Sequence, residues 1–406
     1  MLKCGLLGRT LGHSYSTQIH QLLGNYLYKL YEIEPEELSA FLRSGNYDRL
    51  NVTIPYKKAV IPYCSELSET AKAIGSVNTI VRRPDGKLFG DNTDAYGFEW
   101  MLRSSGIDVS EKKALVFGSG GASLTVCYVL QKLGGSVTVI SRQGENNYQN
   151  LSLHADAQVL VNTTPLGMYP GNGESPCDLR QFPQCEGVLD LIYNPARTAL
   201  LLQAEALGIP CEGGLSMLVA QAKLAAEIFT DSKIDDSVLL RIIDQLSAQM
   251  QNIVLIGMPG CGKSTVGAEL AGILGLPFYD TDKEVEKRVG MTVPDFFSCF
   301  GEEAFREEES SVLSELGKRS GCVIATGGGC VTRPENYPLL HQNSRIVWIQ
   351  RELSALPISG RPISQTTSPE ELIQQREPLY RHFADGIITN NRTVDACVQQ
   401  ILEELL

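Results

Sequence analysis

The sequence has no excess of positive charge: 35 lysines and arginines face 47 aspartates and glutamates, a formal net charge of −12. Phosphate backbones attract basic surfaces, so this balance argues against nucleic acid as the main partner. It also obliges any pocket for an anionic ligand to gather its own cations. Apolar runs long enough to span a bilayer are missing. The opening MLKCGLLGRTLGHS has an apolar stretch too short for a signal peptide. The eleven cysteines are scattered and form no Cys-x-x-Cys pair. A disulfide framework or structural zinc site therefore has little support, and the reduced thiols of a cytoplasmic protein fit better. No repeat, low-complexity tract or Pro/Gly/Ser-rich linker interrupts the chain.

What remains is an ordinary globular composition, 43% hydrophobic and 20% charged, over 406 residues. That length calls for two or three domains. Short apolar runs alternate with helical patterns, the rhythm of α/β architecture. Strands are expected near Leu2–Leu7, Tyr28–Ile33, Leu50–Ile54 and Ser76–Val81, with a helix after Ser16. A helix from about Thr93 leads to strand Ala114–Phe117, which opens a glycine-rich turn. Strands at Val137–Ile140, Val159–Val161 and Gly187–Asp190 follow, then helical patterns at Leu215–Phe229 and Ser237–Gln249. Strand Ile253–Ile256 runs into a second glycine-rich loop, so a domain boundary is expected near residue 250.

That second loop, Gly257-Met-Pro-Gly260-Cys261-Gly262-Lys263-Ser264-Thr265, matches G-x-x-x-x-G-K-[ST]. Glycines let backbone N–H groups turn inward around phosphate, and the following helix offers its positive end. Lys263 suits the terminal phosphates of ATP and Ser264 a Mg²⁺ ion. Further on come Asp280-Thr-Asp282 after a short strand, and Gly301-Glu-Glu-x-x-Arg306 opening a helix. Gly327-Gly328-Gly329 after strand Val323–Ala325, Arg361-Pro362 and Arg376-x-Pro-Leu-Tyr380 complete the series. In this order and spacing, residues 251–406 resemble shikimate kinase.

The resemblance implies a compact domain with a five-stranded parallel sheet that phosphorylates shikimate. It implies that Arg306 and Arg376 clamp the substrate carboxylate, while Asp282 holds the hydroxyls and orients the nucleophile, with the role of base open to it. Asp280 would reach Mg²⁺ through water. Gly327, Gly328 and Gly329 would let backbone approach the ring, and Arg361, on a lid, would stabilise the transferring phosphoryl group. The stretch Gln350–Gly360 before Arg361 is shorter than the family's, and Arg351 is its only arginine, sitting early. Cys261 reads as a passive filler of the loop.

The first loop, Gly118-Ser119-Gly120-Gly121-Ala122-Ser123, lies in a strand–helix–strand unit of dinucleotide-binding length, with serine at the third glycine position. At the end of the returning strand stands Ser141-Arg142, where an NAD enzyme places an acid. A hydroxyl and a guanidinium suit a 2′-phosphate, which favours NADP(H). Around this unit occur HSYS with Ser14 and Ser16, NVTIPYK (Asn51 to Lys57), SVNT with Asn78, DNTD ending in Asp94, Tyr193, and MLVAQ ending in Gln221. This set resembles shikimate dehydrogenase across residues 1–247.

That resemblance implies a substrate domain at 1–98 and a Rossmann-type NADP domain at 99–247, the site lying in the cleft between them. Lys57 and Asp94 would form the catalytic pair, Ser14 and Ser16 would bind the carboxylate, and Asn51, Thr53, Asn78 and Gln221 would grip ring hydroxyls, with Tyr193 nearby. The glycine turn and Gly214 fall to the cofactor. Singly these residues also read blandly, Lys57 as a surface lysine, the serines and acids as helix caps, His13 as structural. The two halves together imply a cytoplasmic bifunctional enzyme acting on 3-dehydroshikimate and then shikimate, with oligomeric state open. The alternatives are a quinate/shikimate dehydrogenase with a weakened kinase, and a ligand sensor derived from such domains.

Overall fold

The computed structural model describes residues 1–12, 14–356 and 368–405. Its contacts divide the chain into two compact units. The first comprises residues 1–168, 174–193 and 203–246; the second comprises 169–173, 194–202 and 247–406.

The first unit holds two sheets. Strands β1 (Lys3–Gly8), β2 (Leu27–Glu32), β3 (Arg49–Val52), β4 (Cys64–Leu67), β5 (Thr79–Arg82) and β6 (Leu88–Asp91) form a six-stranded sheet in the order β2-β1-β3-β5-β6-β4. It is mixed: β5 runs antiparallel to both β3 and β6. Strands β7 (Lys113–Phe117), β8 (Ser136–Ile140), β9 (Val159–Asn162), β10 (Gly187–Asp190) and β11 (Cys211–Gly213) form a parallel sheet, ordered β11-β10-β9-β7-β8. Strands β9 and β10 are buried along their whole length, as strands covered on both faces should be. Sheet order reverses beside β7, and open α/β sheets take ligands at such a switch point. The glycine turn after β7 stands there, leading into helix Gly121–Lys132. Gly118 has φ 106°, and a Cβ on it would meet Thr163 Oγ1 at 2.8 Å, so only glycine fits.

The second unit is built on one parallel sheet: β12 (Asn252–Ile256), β13 (Phe278–Asp280), β14 (Val323–Ala325), β15 (Ser344–Gln350) and β16 (Gly386–Thr389), ordered β13-β14-β12-β15-β16. The fully buried β12 lies in the middle, and its loop turns into helix Lys263–Leu274 through Gly262 at φ 102°. This is the expected α/β architecture with its five-stranded parallel sheet. Gly301, at φ 83° and ψ 177°, is non-helical, so a helix opens after it as expected and carries Arg306 on toward Leu316. The sequence did not show the helix in front of it, which starts at Val293 with Thr292 as its cap and Pro294 in its first turn. The Arg361 lid assignment lies outside the described residues, as does the reading of His13.

Candidate active sites

A cavity of about 480 Å³ opens in the first unit, between its two sheets. Ser14, Ser16, Asn51, Thr53, Lys57, Asn78, Asp94, Tyr193 and Gln221 all line it, joined by Ala122 and Gly214. The fold draws these from separate elements. Asn51 lies near the end of β3, Asp94 begins helix Asp94–Ser105, and Gln221 projects from helix Leu215–Thr230. Lys57 Nζ donates to Asp94 Oδ2 at 2.6 Å, and the two side chains are only 19% and 11% exposed. The bland reading of Lys57 as a surface lysine does not fit that burial. Ser14 does act partly as a cap, its Oγ accepting from the Ser16 backbone N–H at 3.2 Å.

Helix Gly121–Lys132 points its N-terminus at this cavity: a Cβ on Gly121 would lie 3.9 Å from Lys57 Cδ. Around Gly120 a Cβ would meet nothing within 4 Å, so Ser119 and Gly120 leave open room at the helix end. That cradle fits the pyrophosphate of a dinucleotide, which a helix N-terminus attracts. Ser123 differs from the rest of the turn. It is buried inside the helix with its hydroxyl toward Cys127 Sγ at 3.9 Å, so it serves packing and does not face a phosphate. Ser141 and the exposed Arg142 stand at the end of β8, outside the cavity and beside the glycine turn, whose Gly118 N–H donates to Ile140 O at 2.8 Å. The Ser141 hydroxyl donates to Gln143 O.

In the second unit a cavity of about 580 Å³ is lined by Gly260, Gly262, Lys263, Ser264, Thr265, Asp282, Arg306, Gly327, Gly328, Gly329 and Arg376. The Lys263 ammonium curls into its own loop, donating to Gly257 O at 2.8 Å and Met258 O at 3.0 Å. Ser264 Oγ donates to Asp280 Oδ2 at 2.5 Å, while Asp280 Oδ1 caps the next helix by accepting from the Asp282 and Lys283 N–H groups. A hydroxyl and a carboxylate so close form a hard oxygen pair fit for Mg²⁺. Cys261 is fully buried, and its side chain lines neither this cavity nor its neighbour. Among the described residues no cluster of His, Cys, Asp and Glu could hold a metal by itself, so the ion would need phosphate oxygens as further ligands.

Glu309 was not legible as a site residue. It is fully buried, and Arg306 Nη1 donates to its Oε2 at 2.6 Å, with Glu302 taking the other side of the guanidinium at 3.1 Å. Its remaining oxygen, Oε1, has no hydrogen-bond partner. The i, i+3 spacing from Arg306 was the one available signal. The glycine triplet is explained by these neighbours. A Cβ on Gly327 would collide with Glu309, on Gly329 with the Arg306 guanidinium, and on Gly328 with Pro259. Arg376 Nη1 and Tyr380 Oη both donate to Gly328 O. Burial, with Glu309 and Asp280 adding to it, raises the Asp282 carboxyl to about 6, against the pull of Lys263 and Arg306. Arg351 lines this cavity and also a neighbouring one of about 360 Å³ walled by Met258, Trp348 and Asn391.

A lysine–aspartate pair beneath a dinucleotide cradle, and a phosphate loop facing two arginines, define a dehydrogenase joined in one chain to a P-loop kinase. Comparisons narrow both classes. Residues 6–80 match the shikimate dehydrogenase substrate binding domain, and residues 259–406 match shikimate kinase. The shikimate dehydrogenase (NADP(+)) of Clostridium beijerinckii is 36% identical over 253 residues, 57% of this chain and 93% of that protein. A chorismate mutase/shikimate 5-dehydrogenase fusion protein from Clostridium acetobutylicum aligns with a TM-score of 0.58 at 36% identity, covering 61% of this chain and 97% of that one. Shikimate 5-dehydrogenase from Thermus thermophilus, in complex with NADP(H) and shikimate, gives 0.56 at 30% identity, covering 60% and 99%. The chain belongs to the shikimate dehydrogenase family over its first part and is similar to shikimate kinase over residues 259–406.

Proposed function

We propose that the chain reduces 3-dehydroshikimate to shikimate in the first unit and phosphorylates shikimate to shikimate 3-phosphate in the second. The observation that carries this reading is the Lys57–Asp94 pair, enclosed at 2.6 Å in a cavity otherwise rich in neutral hydrogen-bonding side chains. A polyol demands such directional partners. When bound, NADPH supplies a hydride and Mg-ATP a phosphoryl group. Lys57 gives its proton to the carbonyl oxygen that becomes the alcohol, and Asp94 holds it in place. Ser14 and Ser16 take the carboxylate, Asn51, Thr53, Asn78 and Gln221 the ring hydroxyls, and Tyr193 closes one wall. Gly118 to Ala122, Gly214, Ser141 and Arg142 hold the cofactor, Ser123 only through helix packing.

In the kinase the loop from Gly260 to Thr265 holds the phosphates, with Lys263 leaving its carbonyls for them, and Ser264 and Asp280 hold Mg²⁺. Asp282 accepts the substrate hydroxyl. Arg306 and Arg376 take the carboxylate, the buried Arg306 exchanging the half-exposed Glu302 for it, so that its charge stays paired throughout. Arg361 completes this assignment from the sequence alone. Residues 1–98, 99–247 and 251–406 are read as substrate, NADP and kinase domains. No helix among the described residues is long and apolar enough to cross a membrane. No disulfide joins the described cysteines, and the net charge is negative. These features support a cytoplasmic enzyme of small-molecule substrates without a nucleic-acid partner.

Initial rates of oxidation test the selectivity. Shikimate should exceed quinate in kcat/KM by about 10²-fold, and NADP⁺ should exceed NAD⁺ by about tenfold or more. Equal rates with quinate would favour a dehydrogenase of both acids.

A further inference from the structure

Behind the residues assigned to the ring hydroxyls lies a chain of buried hydrogen bonds whose direction can be deduced. It starts from a group that can only donate. The Thr93 backbone N–H gives its proton to Asn78 Oδ1 at 2.7 Å. That fixes the Asn78 amide, whose Nδ2 then faces Thr93 Oγ1 at 3.0 Å and Gln221 Oε1 at 3.5 Å. The Thr79 hydroxyl, 3.0 Å from Asn78 Oδ1, must donate to it. Its one proton is thereby spent, so it accepts from Asn51 Nδ2 at 3.3 Å. Asn51 Oδ1 is thus turned the other way, where the Tyr28 hydroxyl lies 2.8 Å off and must donate. Thr79 and Thr93 are wholly inaccessible, and Asn51, Asn78 and Tyr28 are buried, so water does not supply substitutes.

We propose that Tyr28 is a positioning residue of the dehydrogenase, fixing the Asn51 amide so that its spare Nδ2 proton faces a substrate hydroxyl. The inference rests on the reading of this cavity as the dehydroshikimate site. Tyr28 is itself held. Its ring stacks on His20 at 4.0 Å and 10°, and His20 Nδ1 is bonded to the Tyr26 hydroxyl at 2.6 Å. Burial lowers the His20 imidazole to about 3, so it stays neutral against the ring. Burial also pushes the Tyr28 hydroxyl well up, with Tyr26 and Cys4 adding, so it remains a donor. Neither Tyr28 nor His20 lines the cavity. Without the Tyr28 proton, Asn51 Oδ1 loses its donor at 2.8 Å, and the amide, left to its weaker contact with the His20 imidazole, is held less firmly and can turn an oxygen to where the substrate needs a proton.

The test is steady-state kinetics of the full chain with 3-dehydroshikimate at saturating NADPH. Tyr28→Phe keeps the stacked ring and deletes only the hydroxyl. It should raise KM about tenfold with kcat changed less than about threefold, the pattern of lost substrate binding, and leave KM for NADPH and the kinase rate unchanged. Asn51→Ala should raise KM at least as much, and the double variant should be no worse than Asn51→Ala alone, because Tyr28 acts through Asn51. Thr79→Val cuts the chain one link further on and should repeat the KM rise, which keeps the question open to test if the phenylalanine variant does not fold. A normal KM in Tyr28→Phe, or full additivity in the double variant, overturns the proposal while Asn51 keeps its role. A normal KM in Asn51→Ala overturns the proposal and the assignment of Asn51 as a substrate ligand together.

Discussion

Lys57→Ala is expected to lower kcat for reduction of 3-dehydroshikimate by about 10³-fold, while shikimate phosphorylation by the same preparation stays within about twofold. The size follows from what the side chain does. General acid catalysis contributes roughly 10²–10⁴-fold, and among the described residues lining the cavity Lys57 is the cation beside Asp94. Alanine would also leave the Asp94 carboxylate, 11% exposed, without its ion pair, so part of the loss is electrostatic. Asp94→Asn should therefore also be slow, since the amide orients Lys57 without matching its charge. The kinase rate measured on the same sample reports the integrity of the rest of the chain. If Lys57→Ala retained a tenth or more of the reduction rate, the proton donor would have to be sought elsewhere.

Asp282→Asn should cost the kinase about 10²–10³-fold in kcat with the dehydrogenase intact. Asparagine keeps the size and one accepting oxygen but cannot take a proton. Two environments meet at this carboxyl. Burial and the neighbouring carboxylates of Glu309 and Asp280 raise it to about 6, near enough to neutrality for proton exchange, while Lys263 and Arg306 keep it from rising further. Comparing kcat with KM for shikimate in the variant separates its two assigned roles. A fall confined to kcat marks the group that orients and deprotonates the nucleophile. A rise confined to KM would reduce Asp282 to a substrate ligand and leave the kinase without an identified base.

The sequence showed more of the parallel sheets than of the mixed one. Gly187–Asp190 and Val323–Ala325 form strands with the expected limits, because a strand buried on both faces is a continuous apolar run with polar flanks. Strands Cys64–Leu67 and Leu88–Asp91 were not legible; each is four residues long, without a continuous apolar run, and they pair at a sheet edge. Strand β5 begins at Thr79 rather than Ser76 because Gly75 ends a helix in the left-handed conformation and residues 76–78 bond across to Lys57 and Asp91. Motif residues that touch the cavities were visible as motifs. Their supports were not: Glu309 lies in the acidic run Glu307-Glu308-Glu309, Tyr28 begins an expected strand, and Thr79 and Thr93 sit in the SVNT and DNTD motifs with no role attached to them. Only the fold, by bringing β2, β3 and β5 into one sheet, turns them into a connected set.

The most direct test of the whole account is one coupled reaction: purified protein, 3-dehydroshikimate and NADPH, with and without Mg-ATP. NADPH oxidation without nucleotide should yield shikimate, and addition of Mg-ATP should convert it to shikimate 3-phosphate with matching release of ADP. NADPH oxidation that ends at shikimate despite Mg-ATP would contradict the kinase assignment, and no NADPH oxidation at all would contradict the dehydrogenase.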